Sequence, residues 1–337
     1  MLRRRASTSL ALTVIALLAG CGGQDEPAGD PIDQVSDSGG LRQQIADARA
    51  VKRADFPAPE GRSLDALAES LQARPDEAAL ASSVFTVGDN RLAFGTIDEQ
   101  GQFAFGRTAI YVARRGGAPA RGPYPAPADL LVTEPAFRSQ QAATEEDPFA
   151  AVYAARVPFQ SAGRHEILTV TWAGDRTVAA TGSVEVTTRA ADPIPDVGER
   201  APRVETDTLE SARGDVAAID TRLPPSDMHA RSFADVVGDK PVALLFATPQ
   251  LCQSRVCGPV VDVALQLEER YGDRVEFIHQ EVYRDNDPNL GIREPLARFN
   301  LRTEPWLFVT DPDGRITARL EGSFGLAAFE EALQSAL

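Results

Sequence analysis

Residues 241–259 read PVALLFATPQLCQSRVCGP. Val242 to Phe246 is an unbroken apolar run of strand length, the pattern of a strand buried on both faces. Beyond Pro259, residues Val260, Val263, Ala264, Leu267 and Tyr271 share one face of a helix. Between strand and helix lie two cysteines, Cys252 and Cys257, with four residues separating them. A thiol at a helix N-terminus meets unpaired backbone N–H groups and the positive end of the macrodipole, which lower its pKa and make it reactive. Arg255, between the two, adds positive charge. The stretch therefore points to dithiol redox chemistry on a strand-to-helix turn.

Working outward, residues 242–337 alternate strand and helix: Val242–Phe246, Pro259–Tyr271, Val275–Val282, Glu294–Phe299, Trp306–Thr310, Ile316–Glu321 and Leu326–Leu337. That alternation predicts a partly parallel sheet covered by helices. Phe246-Ala247, the thiol turn, Thr303-Glu304-Pro305-Trp306 and the Asp311-Pro312-Asp313-Gly314 turn together resemble the thioredoxin fold, particularly its exported, membrane-tethered members. Val197-Gly198-Glu199-Arg200-Ala201-Pro202 resembles the opening of the same domains, so the likeness covers residues 197–337. It implies that Pro305 is a cis-proline beside the thiols and that Glu304 faces substrate, its backbone pairing with a bound strand. Cis X-Pro bonds are otherwise a small minority, about 5–6% of such bonds in folded proteins.

The resemblance also assigns the thiols. Family order makes Cys252 the attacking thiol and Cys257 the resolving one. Yet Cys257-Gly258-Pro259 matches the start of the thioredoxin Cys-Gly-Pro-Cys, so the reverse assignment stays open. Two departures stand out: the cysteine spacing is wider than the family's, and the buried acid expected on the first strand is replaced by Leu245. A non-catalytic adaptor in which the pair is a structural disulfide is the alternative. Copper delivery of the Sco type is weaker, since His279 lies inside a strand. Peroxiredoxin chemistry is weaker too, because Thr248 sits four rather than three positions before Cys252. Structural zinc lacks a set of four Cys or His ligands, so neither metal nor cofactor is expected.

The N-terminus carries Arg3-Arg4-Arg5, an apolar run from Leu10 to Leu18, and Leu18-Ala19-Gly20-Cys21. This has the order of an export signal, and the run falls short of the roughly 20 residues that span a bilayer. The last four residues resemble a bacterial lipobox. The likeness implies cleavage before Cys21, a lipid on its sulfur, and a protein anchored on the extracytoplasmic face of the cell membrane. With Cys21 lipidated, Cys252 and Cys257 are the remaining pair of a three-cysteine chain, and a pair outside the cytoplasm favours a disulfide.

Residues 21–80 read as a tether with short helical segments, Leu41–Ala50 and Ser63–Ala73, the second with Ser63 as N-cap. In residues 81–190 the period changes to two, at Leu92 and Phe94, Phe103 and Phe105, Ile110 and Val112, Leu168, Val170 and Trp172, and Val184 and Val186. Turns fall at Asp98–Gly101 and Ala173–Asp175. About seven strands are expected, as a β-sandwich that loosely resembles the immunoglobulin-like domains of bacterial exported proteins. Gly116–Pro148 looks like a solvated insertion, with partner binding as the alternative. Residues 191–200 form a proline-bearing linker, and 201–337 the thioredoxin-like domain. The expected whole is multidomain: a signal peptide (1–20), a tether, a sandwich and an α/β domain. A net charge of −15 excludes nucleic acid and anionic lipid headgroups as partners. The partners implied are a protein thiol or disulfide substrate and an upstream redox protein.

Overall fold

The computed structural model describes residues 30–35, 40–73, 76–97, 103–144 and 150–337. The export signal, Cys21, the Asp98–Gly101 turn and the acidic run at 145–147 lie outside these residues. Among the described residues no helix is long and apolar enough to cross a membrane. Residues Pro31–Leu337 form one compact unit.

The first half builds two sheets. One contains β1 (Asp76–Glu77), β3 (Phe85–Thr86), β5 (Arg107–Arg114), β6 (Arg121–Pro125), β9 (Gly163–Ala173) and β10 (Arg176–Thr187), in the order β1-β10-β9-β5-β6 with β3 also on β10. The other contains β2 (Ala79–Leu80), β4 (Gly88–Gly95), β7 (Ala128–Leu130) and β8 (Ala151–Phe159), in the order β2-β4-β8-β7. Leu92 and Phe94, Ile110 and Val112, and Val184 and Val186 all lie in one core with Tyr153 and Ile167. The opposite phase of β5 and β9, Tyr111, Leu168 and Val170, packs under Phe56, Leu64 and Leu67. The first sheet is thus buried on both faces, because the segment before it folds back as a cover. α1 (Leu41–Arg49) sends Ile45 and Ala48 into the main core, whereas α2 (Leu64–Ser70) covers the outer face, its N–H of Ala66 donating to the Ser63 hydroxyl at 3.2 Å.

Gly116–Pro148 is not a solvated loop over its described part. It supplies β6 and β7, and residues 133–144 lie along the second half's thiol helix. Ala120, Ala126, Ala128 and Ala143 within it are buried, their small side chains allowing the close approach that a polar loop would forbid.

The second half holds a four-stranded sheet in the order β12 (Glu276–Gln280), β11 (Val242–Phe246), β13 (Trp306–Thr310), β14 (Ile316–Glu321). β11 and β12 run parallel, while β13 and β14 are antiparallel to their neighbours. The pleat sorts the apolar run strictly: Val242, Leu244, Phe246, Trp306 and Phe308 face one core, and Ala243, Leu245, Leu307 and Val309 the other. α4 (Cys257–Tyr271) and α6 (Leu326–Gln334) cover the second of these faces. α3 (Phe233–Val236) and α5 (Glu294–Arg298) lie toward the first, which buries Phe233, Val236, Leu296 and Phe299. The face bearing α4 and α6 belongs to the same continuous core as the sandwich interior. Asp129 on β7 fastens the halves by accepting hydrogen bonds from the N–H groups of Gly325 at 2.7 Å and Ala327 at 2.9 Å, at the start of α6.

Candidate thiol site

β11 ends at Phe246, and its axis is continued by Ala247 and Thr248, whose carbonyl accepts the Cys252 N–H at 3.1 Å. The chain turns through Gln253, Ser254 and Arg255, the last in the left-handed region at φ 61°, and enters α4 at Cys257. Pro259 sits in the first turn of the helix, where a missing N–H costs nothing. Cys252 and Cys257 are both buried, and each is a free thiol.

Their surroundings differ sharply. The Cys252 sulfur is pushed down to about 6 by a hydrogen bond from the Cys257 side chain, against the opposing cost of burial, with further donors in the Ser254 hydroxyl and the N–H groups of Cys257 and Ser254. The Ser254 Oγ lies 3.2 Å from Cys252 Sγ. Cys257, fully enclosed, is pushed well above its ordinary value by burial first and by its partner second. A low thiol that is the accessible end of a pair, beside a high and deeply buried one, has the division of labour of nucleophile and resolving thiol.

Arg255 is exposed, and among the described residues its side chain makes no hydrogen bond or ion pair; it is not among the influences on Cys252. The expected charge effect of Arg255 is therefore replaced by the Cys257 thiol first, and by the Ser254 hydroxyl and backbone donors after it. The Glu304–Pro305 peptide bond is cis. Pro305 is buried and Glu304 half-buried, with Tyr283 Oη 3.4 Å from its carboxylate. Burial first, and then the Cys252 charge, raise the Glu304 carboxyl, and Glu304 in turn raises Cys257. The Glu304 carboxyl thus lies within electrostatic reach of both sulfurs.

Leu245 leaves the first strand without an acid, but acids enter from positions the sequence did not mark. Glu281, fully buried at the end of β12, accepts from the Thr221 N–H at 2.9 Å and the Thr221 hydroxyl at 2.5 Å. Thr221 in turn receives the Gln250 N–H at 3.2 Å, which ties this acid to the thiol turn. Asp220, His229 and His279 form a buried cluster whose donor atoms lie within 4.8 Å of one another. His279 Nε2 is 3.0 Å from the Ala247 carbonyl, and its Nδ1 is 3.6 Å from Asp220 Oδ2. Burial is the largest single influence on His279 and would lower it, but the Asp220 charge and hydrogen bond, with Glu281 and the Ala247 carbonyl, together raise it; burial likewise opposes the Asp220 charge, and the His279 charge together with hydrogen bonds from His229, His279 and the Arg222 N–H lowers that carboxyl. These three are the one metal-ligand grouping among the described residues, yet Asp220 Oδ2 already accepts from the Ser226 N–H at 2.7 Å and hydroxyl at 2.8 Å. The cluster is an internal ion pair beneath the turn, in which the Nδ1 atoms of His229 and His279 have no hydrogen-bond partner.

The thiol helix is held from the first half. Asp262 receives Arg222 Nε at 2.9 Å on one oxygen and the Ser139 N–H and hydroxyl, at 3.1 and 3.0 Å, on the other. Gln266, one turn on, accepts the Glu134 N–H at 2.9 Å. A Cβ at Gly258 would meet Gln141 Cβ at 2.5 Å and the Gln141 carbonyl at 2.7 Å, so only glycine lets this loop reach the helix beside Cys257.

No family model and no curated protein matches the chain. Among solved structures, it is similar to a protein described as a thiol:disulfide interchange protein DsbE from Chlorobium tepidum, at 15% identity and a TM-score of 0.31, covering 42% of this chain and 98% of that one. A thioredoxin-family thiol:disulfide interchange protein from Chlorobium tepidum TLS is similar at 15% identity and a TM-score of 0.29, over 42% of this chain and 97% of that one. A thioredoxin-like superfamily protein follows at 14% identity and a TM-score of 0.25, over 32% and 84%. The thioredoxin-like character of the second half is carried by its own sheet order, its thiol turn and its cis peptide.

Proposed function

We propose that this protein is a lipid-anchored, extracytoplasmic thiol-disulfide oxidoreductase in which an immunoglobulin-like sandwich is packed against a thioredoxin-like domain. The observation that supports it best is the asymmetry of the pair, Cys252 low and Cys257 high, beside a cis Glu304–Pro305 bond. In the reaction the Cys252 thiolate attacks one sulfur of a partner disulfide. The partner S–S bond breaks, and its leaving thiolate takes up a proton. Cys257, giving its proton to Glu304, whose charge is felt at its sulfur, then attacks the Cys252 sulfur. The second partner thiol is released, the partner has gained two electrons, and the protein is left with a Cys252–Cys257 disulfide. Glu304 and Pro305 are the substrate-facing residues, and among the described residues the Glu304 N–H and carbonyl make no backbone hydrogen bond, which leaves them free to pair with an extended partner strand. Arg255, exposed on the turn, is taken as a further partner-facing residue.

The test is a series of single-cysteine variants. Cys257→Ala should trap a mixed disulfide through Cys252, and Cys252→Ala should trap none. If neither forms adducts, and the wild-type disulfide survives every glutathione ratio in the physiological range, the pair is a structural staple and the adaptor alternative stands. The anchor is tested separately: Cys21→Ala should release the protein from membranes, and persistence in the detergent phase would remove the lipid from the proposal.

A further inference from the structure

Between the two halves lies a half-open cavity of about 460 Å³. It is lined on one side by Leu80, Val152 and Val184 of the sandwich and on the other by Ser254, Val256 and Glu304 of the thiol site. Its volume is that of a ligand pocket. Leu80 is 37% exposed, although a leucine on a short edge strand is easily covered. The groove lies next to the reacting atoms: neither cysteine lines it, but the Ser254 hydroxyl on its wall is 3.2 Å from Cys252 Sγ. It is also preformed. Glu321 on its floor binds the Ser83 N–H at 2.7 Å, the Ser83 hydroxyl at 2.6 Å and the Val84 N–H at 3.1 Å from the first half, and the Thr303 hydroxyl at 3.2 Å from the second. The Ser323 N–H donates to the Ala81 carbonyl at 3.1 Å, and a Cβ on Gly322 would collide with that carbonyl, so the two walls cannot part or slide without loss.

The charged side chains lining the groove are Glu185, Glu304 and Glu321, and among the described residues no Lys, Arg or His lines it. Glu321 is answered by the four donors just named, which leaves the exposed Glu185 and the half-buried Glu304 as the acids of the lining; Arg255, exposed on the turn between Ser254 and Val256, does not line the groove. We infer that this groove docks the disulfide-bearing segment of the partner protein, and that it selects an extended segment with an apolar residue beside its cysteine and Lys or Arg nearby. Apolar walls take the side chain, the acidic rim takes the cation, and continuity with the Ser254 wall delivers the disulfide to Cys252. An anionic lipid or a second copy of this chain, net charge −15, meets repulsion at the same rim. The substrate class rests on the exchange reading above; the groove adds that the sandwich is the specificity element.

The experiment uses the full chain carrying Cys21→Ala, reduced with dithiothreitol, desalted, and mixed with stoichiometric disulfide. Formation of the Cys252–Cys257 disulfide is followed by mass after acid quench. Three oxidants are compared: a nine-residue peptide disulfide dimer with Leu before Cys and Lys flanks, the same peptide with Glu flanks, and neutral bis(2-hydroxyethyl) disulfide. The Lys peptide should react at least tenfold faster than the Glu peptide. Leu80→Asp should cut the Lys-peptide rate about tenfold, and Glu185→Lys should narrow or invert the charge preference, while both variants keep the wild-type rate with bis(2-hydroxyethyl) disulfide. Equal peptide rates, unmoved by either variant, with that small disulfide still reduced, overturn the groove and leave the exchange reading intact. Failure with all three oxidants overturns the exchange reading and the groove with it. Peptide reactivity that appears only after removal of residues 1–20 assigns the groove to the chain's own N-terminus and overturns its role in partner docking.

Discussion

The low Cys252 thiol has a quantitative signature. With its value at about 6 against an ordinary 9.0, roughly nine-tenths of Cys252 is thiolate at pH 7, where an ordinary thiol is about 1% ionised. Nucleophilicity falls with basicity, at a Brønsted slope of about 0.4–0.5, so three pK steps cost about twentyfold per thiolate. The product is a rate advantage of only about fourfold at pH 7, turning into a disadvantage of about twentyfold at pH 10, where both thiols are largely ionised. Cys257→Ala removes the largest influence holding Cys252 down, and Ser254→Ala removes a weaker one. The alkylation rate of the Cys21→Ala chain with iodoacetamide, followed from pH 4 to 10 beside thiolate absorbance, should titrate near 6. Adding Cys257→Ala should move the curve toward 9, and Ser254→Ala should move it less. The variant curve should cross the parent's, slower at pH 7 and faster at pH 10. A parent curve already centred near 9, or one that neither variant moves, refutes the account of the turn. The same thiolate stabilisation favours the reduced protein by about 1.4 kcal/mol at pH 7, which raises its potential by about 30 mV over an otherwise identical site with an ordinary thiol.

Glu304→Gln should leave adduct formation at Cys252 with neutral bis(2-hydroxyethyl) disulfide nearly intact but slow the resolving step about tenfold or more, the scale of a lost general base, as read from the lifetime of the mixed disulfide under stopped flow. Glu268, pushed up to about 8 by burial first and by Asp227 and Glu276 next, holds its proton in the folded chain to higher pH than when unfolded. It therefore costs no stability below about pH 4.5, an increasing amount between there and 8, and its full penalty above; Glu268→Gln should gain about 2 kcal/mol at pH 9 after allowing for solvent screening, and little at pH 4, by urea unfolding. Gly258→Ala should destabilise by about 1–3 kcal/mol through the clash with Gln141, again by urea unfolding, and should lose activity beyond its loss of stability. Asp262→Ala strands the buried Arg222 and should cost about 3–5 kcal/mol, measured by the same unfolding assay.

What was legible in the sequence was local. The run Val242–Phe246 declared a central strand because it must be apolar on both faces, and Thr303-Glu304-Pro305 implied the cis bond only through its resemblance to the thioredoxin pattern. Ser63 showed its cap through its position ahead of Leu64 and Leu67. The electrostatics of the thiols were only half legible: a helix N-terminus was visible, but the donors at Cys252 come from a turn conformation, with Arg255 at positive φ, that no residue pattern specifies. Arg255 looked important because charge is conspicuous in a sequence, whereas the N–H of Ser254 is not. The contribution of residues 133–144 was hidden for a different reason. Ala- and Pro-rich composition is shared by solvated loops and by segments that pack tightly through small side chains, and only a partner surface distinguishes them. Asp262 and Gln266, four apart among the apolar residues of the first three turns of α4, were the trace that such a surface existed.

That surface changes what the first half does. If the sandwich were only a carrier, α4 and α6 would present a polar face away from the sheet, and residues 191–200 would be free to hinge. Instead α4 contributes Val261 and Val263 to the core that also holds the sandwich's Phe94 and Tyr153, and α6 draws its N-terminal hydrogen bonds from Asp129. The connecting stretch is pinned as well: Asp192 accepts from Arg319 at 2.7 Å, the Pro193 carbonyl accepts from Asn300 at 2.9 Å, and Ile194 is buried. Removing the first half would expose the apolar side of the thiol helix and leave Asp262 with only Arg222. The geometry that lowers Cys252 is set at the N-terminus of that same helix, one residue from the Gly258–Gln141 contact, so the sandwich belongs to the machinery that positions the thiols.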